Sequence, residues 1–188
     1  MPLRLDRDSA GFEEEFIGLL NAKREMDEDV DAAVAAILKD VQTRGNAAVL
    51  DYTAKFDRLE LAEDSMRVPA AELAAAIDQC PVETVDALKL AAERIESFHA
   101  KTLPQDLSYS DAEGVKLGAR WRPVQAAGLY VPGGTAAYPS SVLMNALPAK
   151  VAGVERMVMV VPTPDGRVNP LVFAAAHICG IEEVYRIG

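Results

Sequence analysis

The chain has 188 residues, half of them hydrophobic and 26% charged, with a formal net charge of −10. That length and balance describe a soluble, globular chain with room for a core and exclude an intrinsically disordered one. The acidic excess excludes a nonspecific DNA or RNA binder, which needs clustered Lys and Arg to neutralise phosphates, so no nucleic-acid partner is expected.

Ser9 is an N-cap candidate for a short helix over Ser9–Leu20, with Glu13 to Glu15 in its first turns and Phe12, Phe16 and Leu19 as an apolar stripe. The charged stretch "NAKREMDEDVD" reads as a linker, so the short helix docks on its own domain or reaches a neighbouring subunit. Val30, Val34, Ile37 and Val41 then recur on one helix face, and Gly45-Asn46 fits a helix end followed by a new start. "MRVPAAELAAAI" predicts a brief extended piece with Pro69 opening a helix, and Pro81–Ala100 the longest clear helix.

The texture changes near Leu107. "LSYSD" and "VKLGARWRPV" predict a hairpin turning through Asp111 to Gly114, with Trp121 on a strand of alternating burial or stacking between Arg120 and Arg122. "AAGLYVP", "RMVMVVP" and "IEEVYRI" predict strands separated by helices over Ser140–Lys150 and Pro170–Cys179. That alternation predicts parallel pairing with crossover helices, and the apolar runs predict strands covered on both faces. The fold class is therefore α/β: a helical amino-terminal region followed by an incomplete Rossmann-like parallel βαβαβ unit from Gly128 to Gly188, with too few strands for a complete doubly wound sheet.

Cys80 and Cys179 are distant and in no C-x-x-C arrangement, which predicts two reduced, largely buried thiols. The amino terminus has no signal-type apolar run and no stretch approaches the ~18 apolar residues of a membrane span, so a cytoplasmic protein with no membrane partner is expected.

The polar loop in "YVPGGTAAYPSSVLMN" sits where parallel α/β units hold ligands, beyond a strand's carboxyl end and before a helix. Gly133-Gly134 can take positive φ and let backbone approach a ligand, Ser140 or Ser141 can cap the helix, Tyr130 can stack on a base or ribose, and Asn145 lies one turn inside. The same residues also read as a plain helix start built from turn residues, with Tyr130 as a wall of the core. Neither G-x-G-x-x-G nor G-x-x-x-x-G-K-[ST] occurs. His99 and His177 lack companions for a metal site, and Cys179, two residues from His177, is on a different helix face, so no catalytic and no metal-ligating residue is assigned.

The stretch "GLYVPGGTAAYPSSVLMNALPAKVAGV", with "RWRPVQAAGLYVPGG" before it, "RMVMVVPTPDGRVNPLVFAAAHICGIEEVYRIG" after it and "VQTRGNAAVLDYTAKFD" earlier, resembles histidinol dehydrogenase over essentially the whole chain. The resemblance implies a zinc-dependent homodimer with swapped terminal parts. It also implies oxidation of L-histidinol through an enzyme-held aldehyde to L-histidine, with two NAD molecules used in turn, at the end of histidine biosynthesis. It places Tyr130 against NAD, with Pro132, Gly133, Gly134, Ser141 and Asn145 bordering the nucleotide cleft. It implies an amino-terminal helical extension over 1–26, a first Rossmann-like segment over 27–129, and the start of a second such domain over 130–188.

Members of that family are roughly twice as long, and their zinc ligands and Glu-His proton-handling pair match nothing here. His99 and His177 do not occupy those positions. The expectation is an amino-terminal part of the enzyme, inactive alone, binding no zinc itself and leaving an open sheet edge after its third strand. The alternative is a non-catalytic structural or nucleotide-binding module that self-associates.

Overall fold

A computed structural model describes residues 4–133 and 138–187, with backbone only over 21–29. The chain divides into two compact units, Met1–Val49 and Leu50–Gly188.

The first unit is dominated by one helix, α1 (Phe12–Arg44), rather than two helices joined by a linker. The stretch read as a linker contains neither Gly nor Pro, and six of its eleven residues (Ala, Lys, Arg, Met and two Glu) are good helix formers, so its charge does not interrupt helix propagation. Gly11, not Ser9, is the N-cap, and Glu13, Glu14 and Glu15 occupy the first turn, where the helix dipole favours negative charge. At the other end Gly45 has φ 59° and its N–H donates to Val41 O, while Arg44 pairs with Asp40 one turn back. The stripe carrying Phe16, Leu19, Val30 and Val34 is largely exposed.

The second helix, α2 (Asn46–Asp57), follows that glycine directly. Its end is set by Arg58, which takes a left-handed conformation (φ 53°) where glycine is usual. Pro69 caps α3 (Ala70–Ala75) and Pro81 caps α4 (Val82–Thr102); the fixed φ of proline suits both starts. The hairpin follows, with β1 (Leu107–Ser110) antiparallel to β2 (Lys116–Ala119) around a turn tied by Asp111 Oδ1, which accepts from the N–H groups of Glu113 and Val115. Trp121 is not on the strand. It lies in the following loop, 56% exposed, with its backbone N–H donating to Asp106 Oδ1, because Pro123 and the Asp106 contact end the ladder at Ala119.

The parallel unit is as the alternation predicts: β3 (Ala126–Tyr130), α5 (Pro139–Val151), β4 (Arg156–Val160), α6 (Pro170–Cys179) and β5 (Glu183–Tyr185), in sheet order β3-β4-β5. Right-handed crossovers between strands laid down in one direction put α5 and α6 on the same face. That face, with Leu129, Val131, Met159, Val161 and Val184, meets α5 and α6 in a core that also takes Leu73 of α3 and Ala92 of α4. The opposite face is not sealed: Tyr130, Val160 and Tyr185 form one cross-strand row and remain half-buried to exposed. The expectation of strands covered on both faces is thus corrected by the strand order itself.

The edge beside β5 is also not open. Arg67 bridges Tyr185 in antiparallel sense, Val68 N–H donates to Val184 O (2.8 Å), and Arg186 N–H donates to Met66 O (2.9 Å). A segment from early in the chain therefore caps the sheet on that side. Among the described residues no helix is long and apolar enough to cross a membrane.

Candidate functional site

The carboxyl ends of β3, β4 and β5 form the edge where a parallel α/β sheet binds ligands. Tyr130 is the last residue of β3, 57% exposed and on the uncovered face, so it is a surface ring rather than a core wall. Val131, completely buried, anchors the strand beneath it, and its N–H donates to Val160 O. Pro132 and Gly133, both half-buried, continue the chain off the strand; Gly134 lies outside the described residues.

Gly133 is required by space rather than by conformation. Its φ is not in the left-handed region, but a Cβ there would lie 1.8 Å from the Pro162 carbonyl oxygen and 2.9 Å from its carbon. Backbone leaving β4 therefore presses directly on backbone leaving β3. At Gly133 the missing side chain admits the chain's own backbone at Pro162, and a left-handed φ is not what the glycine supplies.

Neither serine caps α5. Tyr138 is the N-cap with no side-chain bond, Pro139 opens the first turn, and Ser140 and Ser141 fall inside the helix. Ser141 is half-buried and Asn145, one turn on, is exposed; i,i+4 spacing puts both on one helix flank. The buried face of α5 is carried by Val142, Leu143, Ala146 and Leu147.

The connection from β4 to α6, "VPTPDGRVNP", supplies residues that sequence reasoning passed over. Thr163 is 2% exposed and its hydroxyl has no hydrogen-bond partner among the described residues. It lines a cavity of ≈ 10 Å³ with Gly133, Pro162, Asn169 and Phe173, room for about one water. Asn169 caps α6, its Oδ1 accepting from Leu171 N–H (2.9 Å), just ahead of Pro170 at the first helical position. The available signal was a second proline- and glycine-rich stretch after a strand, the same kind of feature that marked the Tyr130 loop.

Two ion pairs brace this sheet. Arg58 Nε and Nη2 donate to Asp165 Oδ1 (2.7 Å) and Oδ2 (2.8 Å), holding the Asp165 carboxyl below its ordinary range through those bonds. Arg156 pairs with Glu183 in the same two-pronged way across β4 and β5, and lowers that carboxyl likewise. Just past β5, the Arg186 guanidinium donates to Glu72 of α3. The thiols are both free: Cys80 is half-buried, while Cys179 is 1% exposed and burial pushes it up to about 11. His99 is half-buried against the edge of Phe98 and His177 is exposed. Among the described residues no three His, Cys, Asp or Glu side chains gather as a metal site would require.

A profile of the histidinol dehydrogenase family matches residues 20–188. The chain belongs to that family. It is 59% identical to the histidinol dehydrogenase of Bradyrhizobium diazoefficiens and 60% identical to that of Rhodopseudomonas palustris, in each case over its whole length and 44% of the relative. The crystal structure of histidinol dehydrogenase from Elizabethkingia anophelis superposes with a TM-score of 0.79 at 32% identity, covering 85% of this chain and 36% of that one. The chain thus spans less than half the length of the histidinol dehydrogenases it matches and corresponds to their amino-terminal portion.

Proposed function

We propose that these residues form the NAD-facing edge of an enzyme that oxidises L-histidinol through histidinaldehyde to L-histidine. The observation that carries the reading is an exposed tyrosine ring on the last residue of β3, beside a glycine into whose space β4's outgoing backbone fits. NAD would supply the hydride acceptor. Tyr130 would offer its ring as a stacking surface, Pro132, Gly133 and Gly134 would form the rim, and Ser141 and Asn145 would donate or accept from the α5 flank.

Taking the hydroxyl proton needs a base, and a zinc ion needs three or more ligands held together. No described residue is assigned as that base, and no cluster of metal ligands occurs among the described residues; both would come from outside this stretch, and the stretch alone would be inactive. The segmentation at about residues 26 and 129, a homodimer and a cytoplasmic location complete the proposal. The test is NADH production from L-histidinol and NAD with added zinc, by the 188-residue chain and by a full-length version side by side. Turnover by the long form alone supports the assignment. Turnover by the short chain, with its mass verified, overturns the placement of zinc and base outside it. No turnover by either overturns the reaction and favours a nucleotide-binding module.

A further inference from the structure

The connection between β4 and α6 is a short, folded stretch with little regular structure. Pro162 leaves the strand against Gly133; Gly166 N–H donates to Thr163 O (2.9 Å) and Arg167 N–H to Pro164 O (3.0 Å); Asn169 then starts α6. At its apex Asp165 has φ 56° and ψ 23°, a left-handed conformation that is uncommon outside glycine, asparagine and aspartate. Its ion-pair partner Arg58, separated by 107 positions, is also left-handed, at φ 53°. These two are the non-glycine residues of positive φ among those described. They face each other through two bonds of 2.7 and 2.8 Å. The adjacent residues lie close as well: a Cβ on Gly166 would come within 3.5 Å of Leu59 Cδ1.

We infer that Arg58 and Asp165 are positioning residues for the nucleotide edge: their two-pronged pair holds the Pro162–Asn169 connection against Gly133 and so fixes the rim beside Tyr130. An isolated pair this exposed contributes little to global stability. Left-handed backbone at two facing non-glycine residues is instead the kind of local feature that clusters at functional edges, and here a side-chain pair ties the two positions together. A guanidinium and a carboxylate meeting in two parallel bonds fix direction as well as distance. Arg167 is the other cation acting on Asp165, and Asp57 the other anion acting on Arg58; both are next to the pair and neither forms a two-pronged bond in it.

The inference rests on the NAD reading for its kinetic consequence, but not for its structural one, so two readouts are taken on the full-length enzyme. The variants are Arg58→Gln, Asp165→Asn and the exchange Arg58→Asp with Asp165→Arg. Asn tolerates the left-handed backbone, so Asp165→Asn removes the charge and keeps the conformation. Both single variants are expected to raise KM for NAD by about two- to fivefold, the effect of losing one exposed, well-formed pair. The expected companions are an unchanged kcat, a melting temperature within about 2 °C of wild type, and faster amide deuterium exchange at residues 163–168. The charge exchange is expected to recover part of both. A fall in melting temperature with KM unchanged would mean a merely structural pair and overturn the inference. Exchange at 163–168 identical to wild type in both single variants would overturn it regardless of kinetics. If wild type makes no NADH from histidinol, the NAD reading fails by itself, and the exchange data still decide whether the pair holds the connection.

Discussion

Replacing Gly133 with alanine tests the central contact of the site. The added methyl would begin 1.8 Å from the Pro162 carbonyl oxygen, and that gap has to open to 3.4 Å for an ordinary carbon contact. The obstacle is backbone, so no side chain can swing away. Pro162 in turn follows Val161, 4% exposed, and Gly133 follows Pro132 and the fully buried Val131, so both sides of the contact are tied to the core within two residues. Overpacking of a tight interior contact costs about 1–3 kcal/mol, and a backbone clash this deep belongs at the upper end, about 3 kcal/mol. For a chain of this size that corresponds to a melting temperature lower by roughly 6–12 °C. The assay is thermal unfolding followed by circular dichroism, with wild type alongside. An alanine variant melting within about 2 °C of wild type would show that the two connections do not press on each other, and the argument for why glycine stands here would fail.

Phe173 is a large buried side chain of α6 in the same core, and Phe173→Ala should destabilise by about 3–5 kcal/mol, read as a lower urea midpoint; a loss under about 1 kcal/mol would refute its place there. Cys179, with its thiol raised to about 11, should resist a thiol reagent at pH 8 in the native state while the half-buried Cys80 reacts first, and both should react in denaturant. Equal native rates would contradict the burial. Arg58 and Arg156 depress the carboxyls of Asp165 and Glu183, so each pair's contribution is complete above the ordinary carboxylate range and is lost as pH falls through the lowered native values. Stability below about pH 4 should therefore fall less steeply in the double variant Asp165→Asn, Glu183→Gln than in wild type, measured as urea midpoints against pH. An unchanged slope would mean that these carboxyls titrate alike in native and unfolded chains.

The order of the parallel unit was legible because each strand is a short apolar run and each helix opens on a proline or ends on a glycine, as with Pro139, Pro170 and Gly180. The hairpin was legible in Asp111 to Gly114, and the end of α1 in Gly45. The continuity of α1 was not, because a dense run of charge looks like a linker locally, yet without Gly or Pro it propagates a helix. One-sided coverage of the sheet is a property of strand order, and no local run of residues encodes it. The antiparallel segment on β5 joins positions far apart, as does the Arg58–Asp165 pair, and periodicity is blind to both. Within the site, the position of Tyr130 at a strand end followed from its neighbours. The reason for Gly133 did not, because the atom it makes room for belongs to Pro162.

The segment over 66–68 also has a consequence for synthesis. Arg67 reaches the Glu182 carbonyl 115 positions later, and a ribosome adding about 5–20 residues per second separates the two by roughly 6 to 23 s. During that interval the helices over 70–102 can form on local contacts, whereas Met66, Arg67 and Val68 have no strand to pair with. The β5 edge is covered by a segment made long before it, so a ribosome pause before β5 lengthens the time that residues 66–68 stay unpaired, and a chaperone that shelters them has most to do there.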